Sequence, residues 1–565
     1  MTAHIEIKNV TFQYPGAEQP VLNNVNLSME KGDFIAILGG NGSGKSTLCK
    51  LLNGLIPHYY VGDFSGEVTV NGYNTYEHKV ADLSKHVGYV YQDFENQIVS
   101  PRVLEDASFA PLHYGFADFH ERGLKALKLV GLEEQQDAFI WQLSGGQKHL
   151  LALASVLSLN PDIIIMDEPV AQLDPHHAKD IYDILTELNQ VHGKTIIVIE
   201  HHTEFVASYA KKVVLMEQGN IHFSLPVAEA LNQVDTLHRH HIYPPQVTQA
   251  AREKGVEGRL PITLEEGYSL FSNAEPKEVT DIPFGEQKEA IVSFENVNFA
   301  YKTITREKRQ VLHEIDCTIH EGDYIALVGN NGAGKSSFMR LMTGLVKASV
   351  GEVLVDGENT KDVPPEYLAE KVTYIHQNPD QMFIEDCVEK DVAFFMKSRK
   401  IKDYQSKVET LLEQFELTDL ADRDSRLLSG GQQRRASLAI GVGMNPEIML
   451  LDEPTANLDI ATRKHITRIL DGLKNQLKTV VIATHDMQLA CEFANRIIVM
   501  HEGRMIHDGD RASVFQNYRL LEKAGLVPPQ IFSLTKSLGW KEPAYTVNEF
   551  IERYQREEVD NGVYA

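Results

Sequence analysis

Gly39-Gly40-Asn41-Gly42-Ser43-Gly44-Lys45-Ser46-Thr47 follows the apolar run Phe34 to Leu38 and opens a helical pattern at Leu48, Leu51 and Leu52. A strand, a glycine loop and a helix in that order form a cradle in which successive backbone N–H groups turn inward on an anion. Gly39, Gly42 and Gly44 permit the turn, Lys45 reaches the outer phosphates and Ser46 offers its hydroxyl to magnesium. The loop is suited to a nucleoside triphosphate, with Asn41, Ser43 and Thr47 in the same binding stretch. The chain writes it twice. Gly329-Asn330-Asn331-Gly332-Ala333-Gly334-Lys335-Ser336-Ser337 follows a second apolar run, Tyr324 to Val328.

The duplication extends well beyond the loops. Lys45 and Lys335 stand 290 residues apart, Leu143 and Leu428 of two Leu-Ser-Gly-Gly-Gln stretches 285, Asp167 and Asp452 285, and His201 and His485 284. Repeats of this length are whole domains rather than solenoid units. Pro244-Pro245-Gln246 with the later Thr263-Leu264-Glu265-Glu266 is echoed by Pro528-Pro529-Gln530 with Thr546-Val547-Asn548-Glu549, so each half carries a small C-terminal helical extension. Asn273 to Glu289 is polar, acidic and aperiodic and reads as the linker. The expected organisation is a first domain over 1–232, its extension over 233–272, the linker over 273–289, a second domain over 290–514 and its extension over 515–565.

Within each half, short strand-like runs alternate with helical segments, which predicts an α/β core with a largely parallel sheet and an early antiparallel portion. In the first half these runs are Ile5 to Val10, Gly66 to Val70, Val87 to Tyr91, Ile163 to Met166 and Thr195 to Ile199. Asp118 to about Glu134 reads as part of an inserted helical subdomain.

Composition narrows the function classes. The 565 residues carry a formal net charge of -25, which repels nucleic-acid backbones and anionic lipid surfaces alike. No apolar stretch reaches the roughly 18 residues of a spanning helix, and the N-terminus has no apolar signal core. The expectation is a chain without direct lipid insertion whose membrane attachment goes through another protein. Cys49, Cys317, Cys387 and Cys491 lack C-x-x-C spacing and read as small buried residues.

The chemistry lies at strand ends. Ile163 to Met166 runs into Asp167-Glu168, and Ile448 to Leu451 into Asp452-Glu453. The first carboxylate of each pair is placed to hold magnesium and the second to orient an attacking water. Gln92 and Gln377 end strand-like runs, where an amide can touch both metal and water. His201 and His485 follow buried strands, where an imidazole can bond the γ-phosphate. Tyr14 and Tyr301, each in a Phe-x-Tyr stretch before a phosphate-loop strand, either stack on an adenine or belong to the core. Ser144-Gly145-Gly146-Gln147 and Ser429-Gly430-Gly431-Gln432 each start a helix whose bare N-terminus points at an anion. A second cradle in a half that already has one makes sense if it serves the nucleotide of the other half. Site one then combines Lys45, Ser46, Gln92, Asp167, Glu168 and His201 with Ser429 to Gln432; site two combines Lys335, Ser336, Gln377, Asp452, Glu453 and His485 with Ser144 to Gln147.

This order of motifs resembles that of the ATP-binding-cassette ATPases over nearly the whole chain, which implies ATP and Mg2+ as cofactors and clamp-like, head-to-tail closure of the two halves within one chain. Gln92-Asp93-Phe94-Glu95-Asn96-Gln97-Ile98-Val99-Ser100, Gln377-Asn378-Pro379-Asp380-Gln381-Met382-Phe383-Ile384-Glu385-Asp386 and the Pro-Pro-Gln extensions are similar to the ATPase subunits of energy-coupling-factor importers of vitamins and trace metals. The chain resembles a fused version, as in proteins of thiamine or hydroxymethylpyrimidine uptake. That resemblance implies two partners, a transmembrane coupling protein and a separate substrate-binding membrane protein, and a peripheral position on the cytoplasmic face of the cell membrane. The acids and apolar residues after each glutamine then read as a docking groove for a partner helix, or else as a solvated loop whose apolar members tuck into the core. A twin-cassette translation factor would instead need long charged interdomain helices, and a DNA-repair ATPase a coiled coil or zinc-binding cysteines. Val170 against Thr455, Lys148-His149 against Gln433-Arg434, and His202 against Asp486 depart from strict symmetry between the halves.

Overall fold

The computed structural model describes residues 4–170, 173, 175–272, 274–276, 289–302, 308–456, 458–474 and 476–556. The chain divides into two compact units, Met1–Asn273 and Ala274–Ala565.

In the first unit a four-stranded antiparallel sheet runs in the order Leu22–Met29, Ile5–Gln13, Asp63–Val70, Tyr73–Asn74. A six-stranded sheet follows the order Asn220–Pro226, Lys212–Glu217, Phe34–Leu38, Thr195–Ile199, Ile163–Asp167, Val87–Val90, parallel except at the Asn220–Pro226 edge. The expected parallel core and antiparallel portion are thus two separate sheets. Phe34–Leu38 is an unbroken apolar run because both of its faces are covered. Ile35 and Ile37 pack with the antiparallel sheet and with Leu48, Leu51 and Leu52 of the helix Lys45–Leu52. Phe34, Ala36 and Leu38 turn instead to the helical side. There the helices Val103–Ala107, Phe119–Leu129 and Gly145–Leu157 share a core through Val103, Ala126, Leu127 and Leu151. The predicted subdomain helix ends at Leu129, and Glu133–Gln135 is a separate 3-10 turn.

The second unit repeats the plan. Its antiparallel sheet follows Lys308–His320, Ala290–Lys302, Val350–Val355, Glu358–Asn359. Its larger sheet follows Val372–Ile375, Ile448–Asp452, Thr479–Thr484, Tyr324–Val328, Arg496–His501, Arg504–Gly509. Ala326 and Val328 of its phosphate-loop strand share a cluster with Val514, Phe515, Phe532 and Tyr545, so the C-terminal helices rest on the back of that strand. The echo between the extensions is local chemistry. Thr263 caps Leu264–Phe271 by accepting from Glu266 N, and Thr546 caps Val547–Arg553 by accepting from Glu549 N. All four cysteines are buried.

The stretch read as a linker opens with structure. Ala274–Pro276 pairs antiparallel with Tyr554–Arg556 in the same unit, a contact across most of that unit's sequence that no local pattern announces. Asn273 and residues 277–288 of the expected linker lie outside the described residues.

Candidate functional site

Both phosphate loops leave their strands through a glycine in left-handed backbone that also meets a neighbouring carbonyl. A Cβ at Gly39 (φ 155°) would lie 2.5 Å from Met216 O, and one at Gly329 (φ 145°) 2.1 Å from Met500 O. Only glycine lets the loop pass that close. Lys45 Nζ donates to Gly39 O and Gly40 O, both at 2.9 Å, and Lys335 Nζ to Gly329 O at 2.6 Å and Asn330 O at 3.3 Å, so each ammonium is folded over its own loop. Asn41 and Gly42 lie exposed at the tip, with Ser43, Gly44 and Thr47 buried behind them; Ala333, Gly334 and Ser337 are the buried equivalents behind Asn331 and Gly332. Tyr14 Oη stands 3.4 Å from Thr47 Oγ1, and Tyr301 Oη 3.4 Å from Ser337 Oγ. Each ring also packs edge-on against a core phenylalanine, Phe12 or Phe299, so both tyrosines join the loop helix to the core.

In the first unit the groups expected at the reaction centre are linked directly. Glu168 Oε2 accepts from Gln92 Nε2 at 2.8 Å and its Oε1 lies 3.0 Å from His201 Nε2, closing a Gln–Glu–His triad. Glu168 takes a left-handed φ of 50° with its N–H bonded to Ile199 O at 3.0 Å. Asp167 accepts from Tyr89 Oη at 2.9 Å. Burial raises the Asp167 carboxyl above its ordinary value, against hydrogen bonds from Tyr89 and Ser46 that favour the charged form.

The second unit arranges the same residues differently. Glu453, also left-handed at φ 47°, has Oε2 at 2.9 Å from His485 Nδ1 and Oε1 at 4.0 Å from Lys335 Nζ. Burial is the largest influence on Glu453 and pushes its carboxyl up, yet His485 and Lys335 together hold it below its ordinary value. For His485 burial again opposes the charged form, and Glu453 overcomes it, leaving the imidazole raised. Tyr374 Oη donates to Asp452 Oδ2 at 2.5 Å. Ser336, Gln377 and Asp452 line one cavity of about 500 Å³, together with Arg340, His376 and Arg434.

Ser144 and Ser429 start the signature helices in capping boxes. Gln147 Oε1 accepts from Ser144 N at 2.9 Å and Gln432 Oε1 from Ser429 N at 3.0 Å, while Gly145, Gly146, Gly430 and Gly431 keep the first turn clear of side chains. The signature helix is tied to the segment after Gln92 or Gln377 in both units. Lys148 Nζ reaches Glu95 Oε1 at 2.6 Å, and Gln433 Nε2 reaches Asp380 Oδ1 at 3.1 Å. One position later the halves part: His149 stacks on Phe94, whereas Arg434 donates to the carbonyls of His376 and Gln377.

Three features escaped the sequence reading. Asp106 and Asp391, both buried, accept from the backbone of Val99 and Ser100, and of Ile384 and Glu385, and from the hydroxyls of Ser155 and Ser425. Their shared 285-residue offset and Val-x-x-Asp context were the available signal. The tether made by Arg434, which the sequence offered only as a departure from symmetry, is the second. Glu200 is the third: it accepts from His201 N at 2.8 Å, His202 N at 2.9 Å and Tyr182 Oη at 2.6 Å. In the second unit Asp486 caps the matching helix by accepting from Leu489 N, and Thr484, at the place of Glu200, takes the N–H of Asp486; the helix after His202 has no side-chain cap. The segment after each glutamine is also partly a core element, since Phe383 is buried and Ile98 and Met382 pack against core clusters; Val99 and Ile384 stay exposed.

The chain matches the ABC transporter family over residues 22–171 and again over 312–456. Relatives assigned as ABC transporter ATP-binding proteins include one of Methanosarcina acetivorans, 32% identical with 97% of this chain and 90% of the relative covered. Another, of Caldanaerobacter subterraneus subsp. tengcongensis, is 33% identical over 95% and 96%. Among solved structures, cbiO1 of Clostridium perfringens, part of the ABC transporter complex cbiONQ, is 29% identical over 42% of this chain and 94% of its own, with a TM-score of 0.38. The protein belongs to the ABC transporter family: it is an ATPase with two tandem ATP-binding domains, the ATP-binding component of a transporter. No helix among the described residues is long and apolar enough to cross a membrane.

Proposed function

We propose that the chain is the ATP-hydrolysing energy-coupling subunit of an energy-coupling-factor importer, driving uptake of a vitamin or related micronutrient through separate membrane proteins. The observation that carries this reading is the segment after each glutamine. Its backbone is clamped by Asp106 or Asp391, its acid is joined to the signature helix, and its exposed apolar residue, Val99 or Ile384, is left outward. A partner helix resting there would move with the sensing glutamine and the signature helix together. The resemblance of these segments and of the Pro-Pro-Gln extensions to those of that importer group supports the subgroup.

In this reading each nucleotide lies between one half's phosphate loop and the other half's signature helix, and ATP closes the pair head to tail. Mg2+ fits the donor set, because Ser46, Gln92 and Asp167, like Ser336, Gln377 and Asp452, offer hard oxygens, and Ser46 already bonds Asp167. When bound, the ion neutralises phosphate charge during transfer. Glu168 and Glu453 then orient and polarise the attacking water, and His201 and His485 hold those carboxylates while facing the γ-phosphate. The protein sits peripherally on the cytoplasmic face of the membrane through its transmembrane coupling protein.

The test is purification from detergent-solubilised membranes. Two integral membrane proteins should accompany the chain, one of them binding a micronutrient, and Val99→Asp with Ile384→Asp should abolish their recovery and uptake while ATP binding persists. Pelleting with ribosomes in place of membrane partners would overturn the reading.

A further inference from the structure

Glu217, His222 and His240 of the first unit form a cluster that the nucleotide chemistry does not use. Glu217 ends the strand Lys212–Glu217, and a tight turn with φ of 44° at Gln218 and 79° at Gly219 reverses the chain into Asn220–Pro226. The pairing of these strands slips between Ile221 and Phe223, so His222 is the extra residue of a β-bulge, a device that re-aims a side chain. His240 closes the C-terminus of the helix Val234–Arg239.

The three side chains meet although they come from three elements. His240 Nδ1 lies 3.0 Å from Glu217 Oε1, the His222 and His240 rings are 5.0 Å apart, and one ligand atom from each residue lies within 4.8 Å of the others. The His240 side chain is only 9% exposed, and its Nε2 is buried without a hydrogen-bond partner. A buried imidazole nitrogen left unsatisfied is costly unless something binds it. Packing alone does not call for these residues. Aligned on Met216-x-x-Gly219 with Met500-x-x-Gly503, and on the two Pro-Pro-Gln stretches, the second half carries His501, Ile506 and a fully buried Ala524 at these positions.

We propose that Glu217, His222 and His240 bind a divalent transition-metal ion of the Zn2+ type, with water completing the shell. Two imidazoles and a carboxylate are a ligand set that Zn2+ takes. In a tetrahedral shell, bonds of about 2.1 Å set ligand atoms about 3.4 Å apart, so a shift of about 1.4 Å by the exposed His222 closes the site. The ion joins the C-terminal extension to a hairpin that touches the nucleotide site. Gly219, two residues from Glu217, donates its N–H to Ser43 O of the phosphate loop at 3.1 Å.

The experiment titrates Zn2+ into the tag-free, metal-stripped, nucleotide-free full-length chain against a chromogenic chelator. Wild type should take up one tight ion per chain. His240→Ala and His222→Ile, the residues of the second half, and Glu217→Gln should each weaken that ion by at least about 100-fold while ATP binding is retained. His222 and Glu217 lie on the exposed edge, so their variants keep the test sound if His240→Ala loses stability. No tight ion in wild type, or a wild-type titration curve in any of the three variants, overturns the site.

Discussion

Arg434 donates from Nη2 to the carbonyl of Gln377 at 2.5 Å, with Nη1 on His376 O at 2.8 Å, so the guanidinium on the signature helix holds the backbone at Gln377. Burial pulls its pKa down to about 10, which leaves it charged at neutral pH. Nothing equivalent joins His149 to Gln92. The two halves therefore join the signature helix to the segment at the glutamine through different chemistry, a bidentate cation in one and a ring stack with an exposed ion pair in the other.

Arg434→Lys should destabilise the second half and lower turnover, because a compact ammonium cannot span both carbonyls. Each carbonyl left unpaired costs about 1–3 kcal/mol. Denaturant unfolding of the variant, alongside steady-state ATPase, checks both effects; wild-type values in the two assays would remove the tether from the mechanism.

Glu168→Gln and Glu453→Gln should each reduce hydrolysis by about 100-fold or more at its own site while ATP still binds, since the amide keeps the shape and loses the charge. Single-turnover hydrolysis with equilibrium nucleotide binding separates the two. Wild-type turnover in one variant would assign that site a regulatory role.

Glu200→Thr, the second half's residue, should unseat His201, because the carboxylate currently accepts both His201 N and His202 N. The expected cost is about 1–3 kcal/mol per lost partner, with reduced hydrolysis. Adding His202→Asp should restore part of both by recreating the cap made by Asp486. A double variant no better than the single one contradicts this compensation.

His149 sets a pH dependence. Burial lowers its pKa to about 4 from an ordinary 6.5. The unfolded chain takes up this proton near the ordinary value and the folded chain does not, so stability of the first half is full above that value and falls as pH drops toward 4. The loss amounts to at most about 3 kcal/mol. His149→Phe keeps a ring against Phe94 and should flatten the profile, read by Trp141 emission in a Trp540→Phe background. Identical acid profiles for the two proteins would place the sensitivity elsewhere.

Much of this was legible because it is local. The phosphate-loop strands Phe34–Leu38 and Tyr324–Val328 appear where the apolar runs put them, and the signature serines begin their helices. What was not legible depends on partners far apart in sequence. Arg434 lies 57 residues from Gln377, and Ala274 pairs with Arg556. His202 does leave its helix without a side-chain cap, while Glu200, at the place of Thr484, takes the next two N–H groups and the hydroxyl of Tyr182, a link that only the fold makes. The mixed segment after Gln377 divided by residue, with Phe383 in the core and Ile384 outside.

Glu168 and Glu453 share a backbone geometry, φ of 50° and 47°, that suits glycine or asparagine better than glutamate, and holding it costs about 1 kcal/mol or more at each position. Heredity cannot reward ease of shape and reactivity together at such a point. In the function proposed above, asparagine at 168 or 453 relaxes the backbone by that amount and gives up hydrolysis, so stability and turnover pull in opposite directions at both positions.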